Sequence, residues 1–230
     1  VPFDNILDTD AVMMVNEDQH QMGVMSAEFL LKELGDVRTG KILEVRGVPG
    51  NSVDRDRHVG FHEVMEKEAP KLEIVEVVGN WDDGTAQKVV ADAVAVHKKF
   101  DGMVVQGGST GAVRALIDGK HPMIPVAGES ENGFRKLCAA RAKDGLLCDS
   151  LGQSPGLVAI SMKAAVAALQ GKVMPQLISV PIPRTQHPNF KAGENYFPEL
   201  TDNFFTTNEF PACGVNLKAT DIMSKDEKNS

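Results

Sequence analysis

The sequence predicts an α/β protein built on a doubly wound parallel sheet, and two observations carry the prediction. Short apolar segments alternate regularly with longer amphipathic segments from residue 11 to residue 182. The short segments are rich in Val and Ile and lack in/out alternation, which is typical of strands covered on both faces. Strict alternation of such strands with helices indicates a parallel sheet with helices on both sides.

The elements follow in chain order, and residues at the helix ends support their positions. We predict strands at 11–15, 41–46, 72–78, 102–106, 123–127, 145–148 and 177–182. We predict helices at 19–34, 53–67, 85–98, 111–117, 132–142 and 155–169. Asn51-Ser52 and Gly84-Thr85 suit helix N-caps, and Gly35 stands where a C-cap glycine ends the first helix.

Two C-terminal segments depart from this pattern. Helix 155–169 is apolar on nearly all sides, so we expect it to be covered on more than one side by a sheet that this chain lacks. Beyond residue 182 the sequence is rich in Pro and Phe, which predicts an irregular arm packed by aromatic anchors. From about Ser224 the chain is polar, and we expect a frayed tail.

Composition excludes several classes of function. The 230 residues carry a formal net charge of −8 without a basic stripe, so nucleic acid is not an expected partner. There is no run of eighteen apolar residues of the kind that predicts a membrane-spanning helix. The three cysteines fit no zinc site; Cys138 and Cys148 either form a disulfide, which needs an oxidising compartment, or are two small buried hydrophobes.

The loops after the strands are the first places to look for a ligand, because open α/β sheets bind ligands at the carboxyl ends of their strands. Arg57 shares a buried stripe with Phe61 and Val64, so it needs an acidic partner or a polar ligand. Trp81, the one tryptophan, lies in a polar loop, where it either stacks on a sugar ring or anchors the loop.

Other candidate motifs give weaker signals. Gly107-Gly108-Ser109-Thr110-Gly111 resembles an anion-binding turn but matches neither a Walker loop nor a dinucleotide fingerprint. Glu129 and Ser130 place hydrogen-bonding groups at the predicted cleft. His58 and His62 lie off the buried stripe, and we interpret them as an exposed helical face and not as a metal site. No nucleophile with its base is apparent, so we expect neither an enzyme nor a cofactor.

An ordered set of motifs then indicates a family. Residues 45–52 (VRGVPGNS) and 55–61 (RDRHVGF), with the opening VPFDN, Gly128-Glu129-Ser130 and Gln153-Ser154-Pro155, resemble the ribose-binding-protein family of ABC importers. The resemblance covers roughly residues 1–183. It implies a type I periplasmic-binding-protein lobe with remnants of a second lobe, and a clamp that binds a sugar without altering it.

The resemblance implies a set of ligand-binding residues. Asp4 and Asn5 would contact ligand from the first lobe, Arg57 matches the second Arg of the family's R-x-R pair, and Trp81 falls at a stacking position. Gln153 matches a polar hinge residue.

Two positions depart from the family pattern. Gly107 stands where Asn is usual, which moves that contact to Gln106 or Ser109. Ser130 stands where Asp is usual, with Glu129 as a possible substitute. These departures leave the identity of the sugar open.

The resemblance also implies a division of the chain. Residues 1–17 would be a remnant of the N-terminal lobe with the first hinge strand, 18–152 the C-terminal ligand-binding lobe, 153–178 a helix returning to the N-terminal lobe, and 179–230 a return strand and aromatic arm. Because the family's first β–α units are absent, we expect a fragment, a processed form or a truncated chain.

Three classes of function remain in competition at this stage. The favoured one is a periplasmic substrate-binding component that passes a monosaccharide or polyol to a membrane permease. The second is the effector-sensing domain of a lactose-repressor-like regulator or sensor receptor, marked by an upstream helix-turn-helix in the case of a repressor. The third, an enzyme using phosphosugar or nucleotide at 107–111, lacks an acid/base constellation.

Overall fold

A computed structural model describes residues 1–222, and the tail expected from about Ser224 lies outside the described residues. The strands are β1 Met14–Glu17, β2 Gly40–Arg46, β3 Leu72–Val78, β4 Gly102–Val105, β5 Val126–Glu129, β6 Cys148–Leu151, β7 Leu177–Val180, β8 Arg184–Gln186, β9 Glu209–Phe210 and β10 Val215–Asn216. The helices are α1 Gln19–Leu34, α2 Ser52–Glu68, α3 Asp83–His97, α4 Ser109–Asp118, α5 Asn132–Arg141, α6 Leu157–Leu169 and α7 Ala219–Ile222, with short 3-10 turns at Ala142–Asp144 and Pro211–Cys213.

The main sheet has six strands in the order β3-β2-β4-β5-β6-β8, parallel except for the antiparallel edge strand β8. Helices α1 and α2 cover one face, where Leu30 and Phe61 pack on Ile42. Helices α3, α4 and α5 cover the other face, where Val90 and Phe134 belong to one hydrophobic core with apolar residues of the sheet. Both faces are therefore buried, and the predicted doubly wound parallel sheet is confirmed.

A second, two-stranded parallel sheet lies apart from the first. In it β1 pairs with β7, and α6 packs on the pair through Leu157 and Ile160. The chain passes between the two sheets three times, after β1, after β6 and between β7 and β8. Three chain crossings between two bodies of structure provide the connection about which such bodies can hinge.

Three predicted strands begin later than expected, each by three residues. The observed strands are β1, β5 and β6, in place of 11–15, 123–127 and 145–148. Pro125 has no N–H to give to a ladder, so β5 begins after it. Gly145 adopts a left-handed φ of 97° in the turn before β6. The shift carries Glu129 and Ser150 into buried strand positions that apolar patterning could not identify.

The predicted cover of the apolar helix is only partly present. One face of α6 is buried on the small sheet, but Met162 is 65% exposed and Leu169 is 88% exposed. The exposed face has no covering sheet within residues 1–222, so the expectation that a further sheet covers this helix stays a prediction. No helix within residues 1–222 is long and apolar enough to span a membrane.

Specific polar contacts hold the aromatic arm. The side-chain amide of Asn132 donates to the carbonyls of Phe197 at 2.9 Å and Thr201 at 2.8 Å, and its oxygen accepts from the Phe197 N–H at 2.8 Å. Phe197 and Phe204 are buried together, as the predicted aromatic anchors require. Cys138 and Cys148 form a disulfide that joins α5 to β6, which decides between the two interpretations of these residues.

Candidate functional site

A cavity of about 220 Å³ lies beyond the carboxyl ends of the main-sheet strands. Its wall consists of Asp4, Val53, Arg57, Trp81, Glu129, Gln153 and Phe205. Five of the eight residues predicted to bind ligand are among them. Four of the five, Arg57, Trp81, Glu129 and Gln153, lie at or after the ends of different parallel strands of the main sheet. The sheet brings them together because these strands all end at the same edge.

Arg57 is the centre of this arrangement. Its Nε donates to Gln19 Oε1 at 2.7 Å, its Nη2 donates to Gln153 Oε1 at 2.7 Å, and its Nη1 donates to the Gln106 carbonyl at 2.8 Å. Nη1 also forms an ion pair with the Glu129 carboxylate. The guanidinium is buried, and its planar fork holds side chains from the crossing before α1, from β5 and from the crossing after β6 in fixed positions.

Carboxyl groups outnumber cations around Arg57. Burial raises the pKa of Glu129 to about 7, although Arg57 opposes the shift. Burial likewise raises the pKa of Glu17, at the end of β1, to about 8, and neither of its carboxylate oxygens has a hydrogen-bond partner within residues 1–222. Asp4 accepts from Gln19 Nε2 at 3.3 Å and from Gln153 Nε2. A partly protonated Glu129 gives the cavity wall both a donor and an acceptor, which suits hydroxyl groups.

Trp81 reaches the cavity because its loop adopts an unusual backbone conformation. Asn80 and Trp81 have left-handed φ values of 55° and 57°. The indole lies against two glycines: a Cβ on Gly47 would lie 2.1 Å from Trp81 Nε1, and one on Gly107 would lie 2.8 Å from Trp81 Cδ1. A side chain at position 107 would displace the indole, so this position suits glycine.

Three predicted site residues do not line the cavity. Asn5 Oδ1 accepts from Ser52 Oγ at 3.3 Å. The Gln106 side chain donates to the Asp54 carbonyl at 3.2 Å, while its backbone carbonyl supports Arg57. Ser130 is fully buried and its hydroxyl donates to the Gly152 carbonyl. Asn5 and Ser130 each lie next to a cavity residue in the chain, but the side chains of all three residues make other contacts.

The glycine-rich turn at 107–111 contains its own anion. The Glu131 carboxylate accepts from the backbone N–H groups of Gly108 at 2.8 Å, Ser109 at 3.0 Å and Thr110 at 2.8 Å. These are the free N–H groups that would otherwise bind a phosphate. The turn is therefore a helix start capped by Glu131 from the next loop, which removes the basis of the phosphosugar or nucleotide hypothesis.

Sequence reasoning missed three residues of the site. Gln19 and Glu17 flank the first crossing between the sheets, where no motif marks them. Phe205 was assigned only to the aromatic arm; it reaches the cavity because the Thr206 N–H donates to the Ser130 carbonyl at 2.9 Å and the Asn132 N–H donates to the Phe204 carbonyl at 2.9 Å. Long-range pairing of this kind leaves no local signal.

The interpretation of His58 and His62 as an exposed helical face is wrong. Both side chains are largely covered and contact the buried carboxylate of Glu44, with His58 Nδ1 at 3.0 Å from Oε1 and His62 Nε2 at 2.9 Å from Oε2. The stripe at 57, 61 and 64 faces the rest of the core, whereas the two histidines lie over Glu44, a polar residue of β2. Only the strand register reveals that position.

The cavity wall offers a ligand an aromatic face, an amide and carboxyl groups. Its seven residues include the carboxyl side chains of Asp4 and Glu129 and no Ser, Thr, Cys, Lys or His. Stacking, bidentate hydrogen bonding and carboxyl groups on a doubly wound sheet, linked by crossings to a second sheet, define an α/β ligand-binding protein. The family model of the periplasmic binding protein domain matches residues 1–173, and the chain belongs to that family.

Similar proteins agree with this membership. The ribose import binding protein of Bacillus subtilis (strain 168) is 29% identical over 173 residues, which are 74% of this chain and 54% of that protein. The chain thus spans about half the length of this curated relative.

Solved structures support the same fold. An ABC transporter solute binding protein from Agrobacterium vitis with bound D-fucose has a TM-score of 0.73 at 19% identity, covering 84% of this chain and 68% of that one. One from Actinobacillus succinogenes 130z with bound D-allose has a TM-score of 0.68 at 22% identity, covering 80% and 66%.

Proposed function

We propose that this chain belongs to the substrate-binding component of an ABC importer and binds a monosaccharide or polyol without altering it. One observation carries the proposal: Arg57, Trp81, Glu129 and Gln153, distant in sequence, line a single cavity. Trp81 supplies a flat apolar face for a pyranose or furanose ring, while the other three supply hydrogen bonds to hydroxyl groups.

The charge of the site supports a neutral polyhydroxylated ligand. Burial raises the pKa of Glu129 in the cavity wall to about 7, so near neutral pH this group can donate as well as accept a hydrogen bond. Sugars bound in the related structures, D-fucose and D-allose, have this chemistry. Membership of a family of binding proteins supports binding without turnover.

The two sheets support a division into lobes. We propose that 18–152 form the C-terminal ligand-binding lobe, that 1–17 and 153–178 belong to the N-terminal lobe, and that 179–230 supply a return strand and the aromatic arm. Asp4 and Gln153 lie at or near crossings, so closure about these segments would bring Asp4 onto a ligand held by Arg57. The closed form would then be recognised by a membrane permease.

The family and the disulfide support a periplasmic location for this function. Disulfides persist in oxidising compartments, and Cys138–Cys148 is formed here. Release of the protein by osmotic shock of the producing cells, with the disulfide intact, is the expected result. Retention in the cytoplasmic fraction would contradict the location.

Calorimetry against a panel of sugars tests the binding function. The panel should include D-ribose, D-allose, D-fucose, L-arabinose and glycerol, with inorganic phosphate and ATP as negative controls. We expect heat from at least one sugar or polyol with a Kd of about 1 µM or tighter, and recovery of the unchanged sugar by chromatography. No heat with any sugar, or release of a reaction product, would contradict the proposal.

A further inference from the structure

A second polar cluster lies on the main sheet, apart from the wall of the cavity. It consists of Glu44 in β2, His58 and His62 in α2, and Glu76 in β3, with one ligand atom of each residue within 4.8 Å of the others. The two histidines are one helical turn apart, so their rings lie one above the other, 4.1 Å apart at the centroids. Glu44 and Glu76 are partners in the β2–β3 register. Three secondary-structure elements thus place two histidines over two carboxylates.

We propose that this cluster, the Glu44 cluster, binds a divalent transition-metal ion, with Zn²⁺ as the best match. Imidazole nitrogen and carboxylate oxygen together are a common ligand set for Zn²⁺. Tetrahedral coordination at bond lengths of about 2.0–2.2 Å separates neighbouring ligand atoms by about 3.3–3.6 Å. His58 Nδ1 and His62 Nε2 lie 3.0 Å and 2.9 Å from Glu44 oxygens, so small side-chain rotations would open the site to that size.

The local charges favour a dication. The carboxylates of Glu44, Glu76 and Asp54 face one guanidinium, Arg46, which leaves two negative charges uncompensated when both imidazoles are neutral. Arg46 donates to Glu76 at 2.9 Å and makes a two-pronged contact with Asp54 at 2.9 and 2.7 Å. If Glu76 turned to the metal, Arg46 would keep Asp54, so metal binding would leave no unpaired buried cation.

A metal ion could enter the Glu44 cluster from solvent, and neighbouring groups could hold its ligands in place. Glu44 is 1% exposed, whereas the Glu76 side chain is 45% exposed and opens the cluster to solvent. The other ring nitrogen of His62, Nδ1, lies 3.8 Å from the carboxylate of Glu66, so a small movement of this exposed side chain would bring the two within hydrogen-bond distance and orient a metal-bound imidazole. An ion here would tie α2 to β2 and β3, and α2 carries Arg57 next to His58. The site is therefore structural, fixing the helix that presents Arg57 to the cavity.

Titration of tag-free, chelator-treated protein with Zn²⁺ tests the proposal. We expect one Zn²⁺ per chain with a Kd in the micromolar range or below, and a visible absorption band of tetrahedral Co²⁺ when Co²⁺ is used as the probe. His58→Gln and His62→Gln should each weaken binding by about 10–100-fold or more and remove the Co²⁺ band. Far-UV circular dichroism shows whether each variant is folded.

The matched control is His20→Gln. His20 pairs with a single exposed carboxylate, Glu63, at 2.8 Å, and lies outside the cluster. Its loss should leave Zn²⁺ affinity unchanged. Equal binding by the wild type and both cluster variants, or loss of binding in the control alone, would overturn the proposal. If the cluster variants do not fold, the wild-type Co²⁺ spectrum decides: a tetrahedral band supports the site, and an octahedral spectrum of hydrated Co²⁺ overturns it.

Discussion

Two polar clusters meet helix α2 through the adjacent residues Arg57 and His58, and they differ in the balance of acid and base. Around Arg57, one guanidinium faces the carboxyl groups of Glu129, Asp4 and Glu17. Around Glu44, one buried carboxylate faces two imidazoles and an arginine. Burial raises the pKa of both Glu129 and Glu44, but at Glu44 the hydrogen bonds from the two histidines outweigh it and lower the pKa overall.

The difference shows that burial alone does not set the pKa of a carboxyl group. Where acids outnumber bases, desolvation prevails and the group tends to hold its proton, ready to donate to a hydroxyl. Where hydrogen bonds from neighbouring side chains outweigh desolvation, as at Glu44, the carboxylate stays charged and can hold a cation. The first cluster lies at the open edge of the sheet, where a ligand can enter; the second lies on the sheet face beneath α2. Four substitutions test whether the two clusters differ in this way.

Arg57→Ala should have the largest effect. It leaves Glu129 buried without its cation, so we expect a loss of about 3–5 kcal/mol in the free energy of unfolding by urea, together with loss of sugar binding. The matched control is Arg55→Ala, because the Arg55 side chain is 67% exposed and pairs with its neighbour Asp56. The control should change stability by less than about 0.5 kcal/mol. Similar losses in the two variants would disprove a central role for Arg57.

Glu44→Gln should destabilise the protein less. It removes charge-assisted hydrogen bonds from His58 and His62 but leaves an amide of the same size, so we expect a loss of about 1.5–3 kcal/mol. Sugar affinity should not change, because Glu44 is not in the cavity wall. Glu76→Gln, at a half-exposed position, should cost less than about 1 kcal/mol. A large loss of sugar affinity in Glu44→Gln would show that the two clusters are not separable.

Trp81→Ala should act on binding more than on folding. Loss of the stacking surface should weaken sugar binding by about 2 kcal/mol, or about 30-fold, measured by calorimetry. Trp81→Phe keeps a flat face and should recover most of the affinity. If the alanine variant binds sugar as tightly as the wild type, the indole is a loop anchor and not a ligand contact.

The pH dependence of stability should show the smallest effect. A raised carboxyl pKa means that the folded state keeps a proton that the unfolded chain releases above its usual pKa, so the contribution of Glu17 to stability falls as pH rises from about 4.5 to about 8. Between pH 6 and pH 7 we expect a decline of at most about 1.4 kcal/mol from this group. Glu17→Gln should remove that part of the slope.

Glu28→Gln, on the exposed side of α1, serves as the control for this measurement and should keep the wild-type slope. A slope in Glu17→Gln equal to that of the wild type would show that Glu17 is ionised in the folded protein.

Sequence patterns predicted the helices and strands because each is defined by residues close together in the chain. Helix 19–34 and strand 72–78 match the observed bounds, since a capping residue, an apolar stripe or a run of β-branched residues suffices to define each. Arg57 could be identified because a charge in an apolar stripe is anomalous by itself. Gln19, Phe205 and the contact of the histidines with Glu44 could not, because each depends on pairing between segments 14 to 76 residues apart.

The sequence by itself determined the doubly wound sheet, the edge at which a ligand would bind, and the candidate residues Arg57 and Trp81, because periodicity and strand ends are properties of short segments. Only the tertiary structure decided that Asp4, Glu129 and Gln153 share the cavity with them, that Glu131 fills the glycine-rich turn, and that His58 and His62 face a buried carboxylate. Register and crossing geometry set which side chains meet, and both arise from packing across the whole chain.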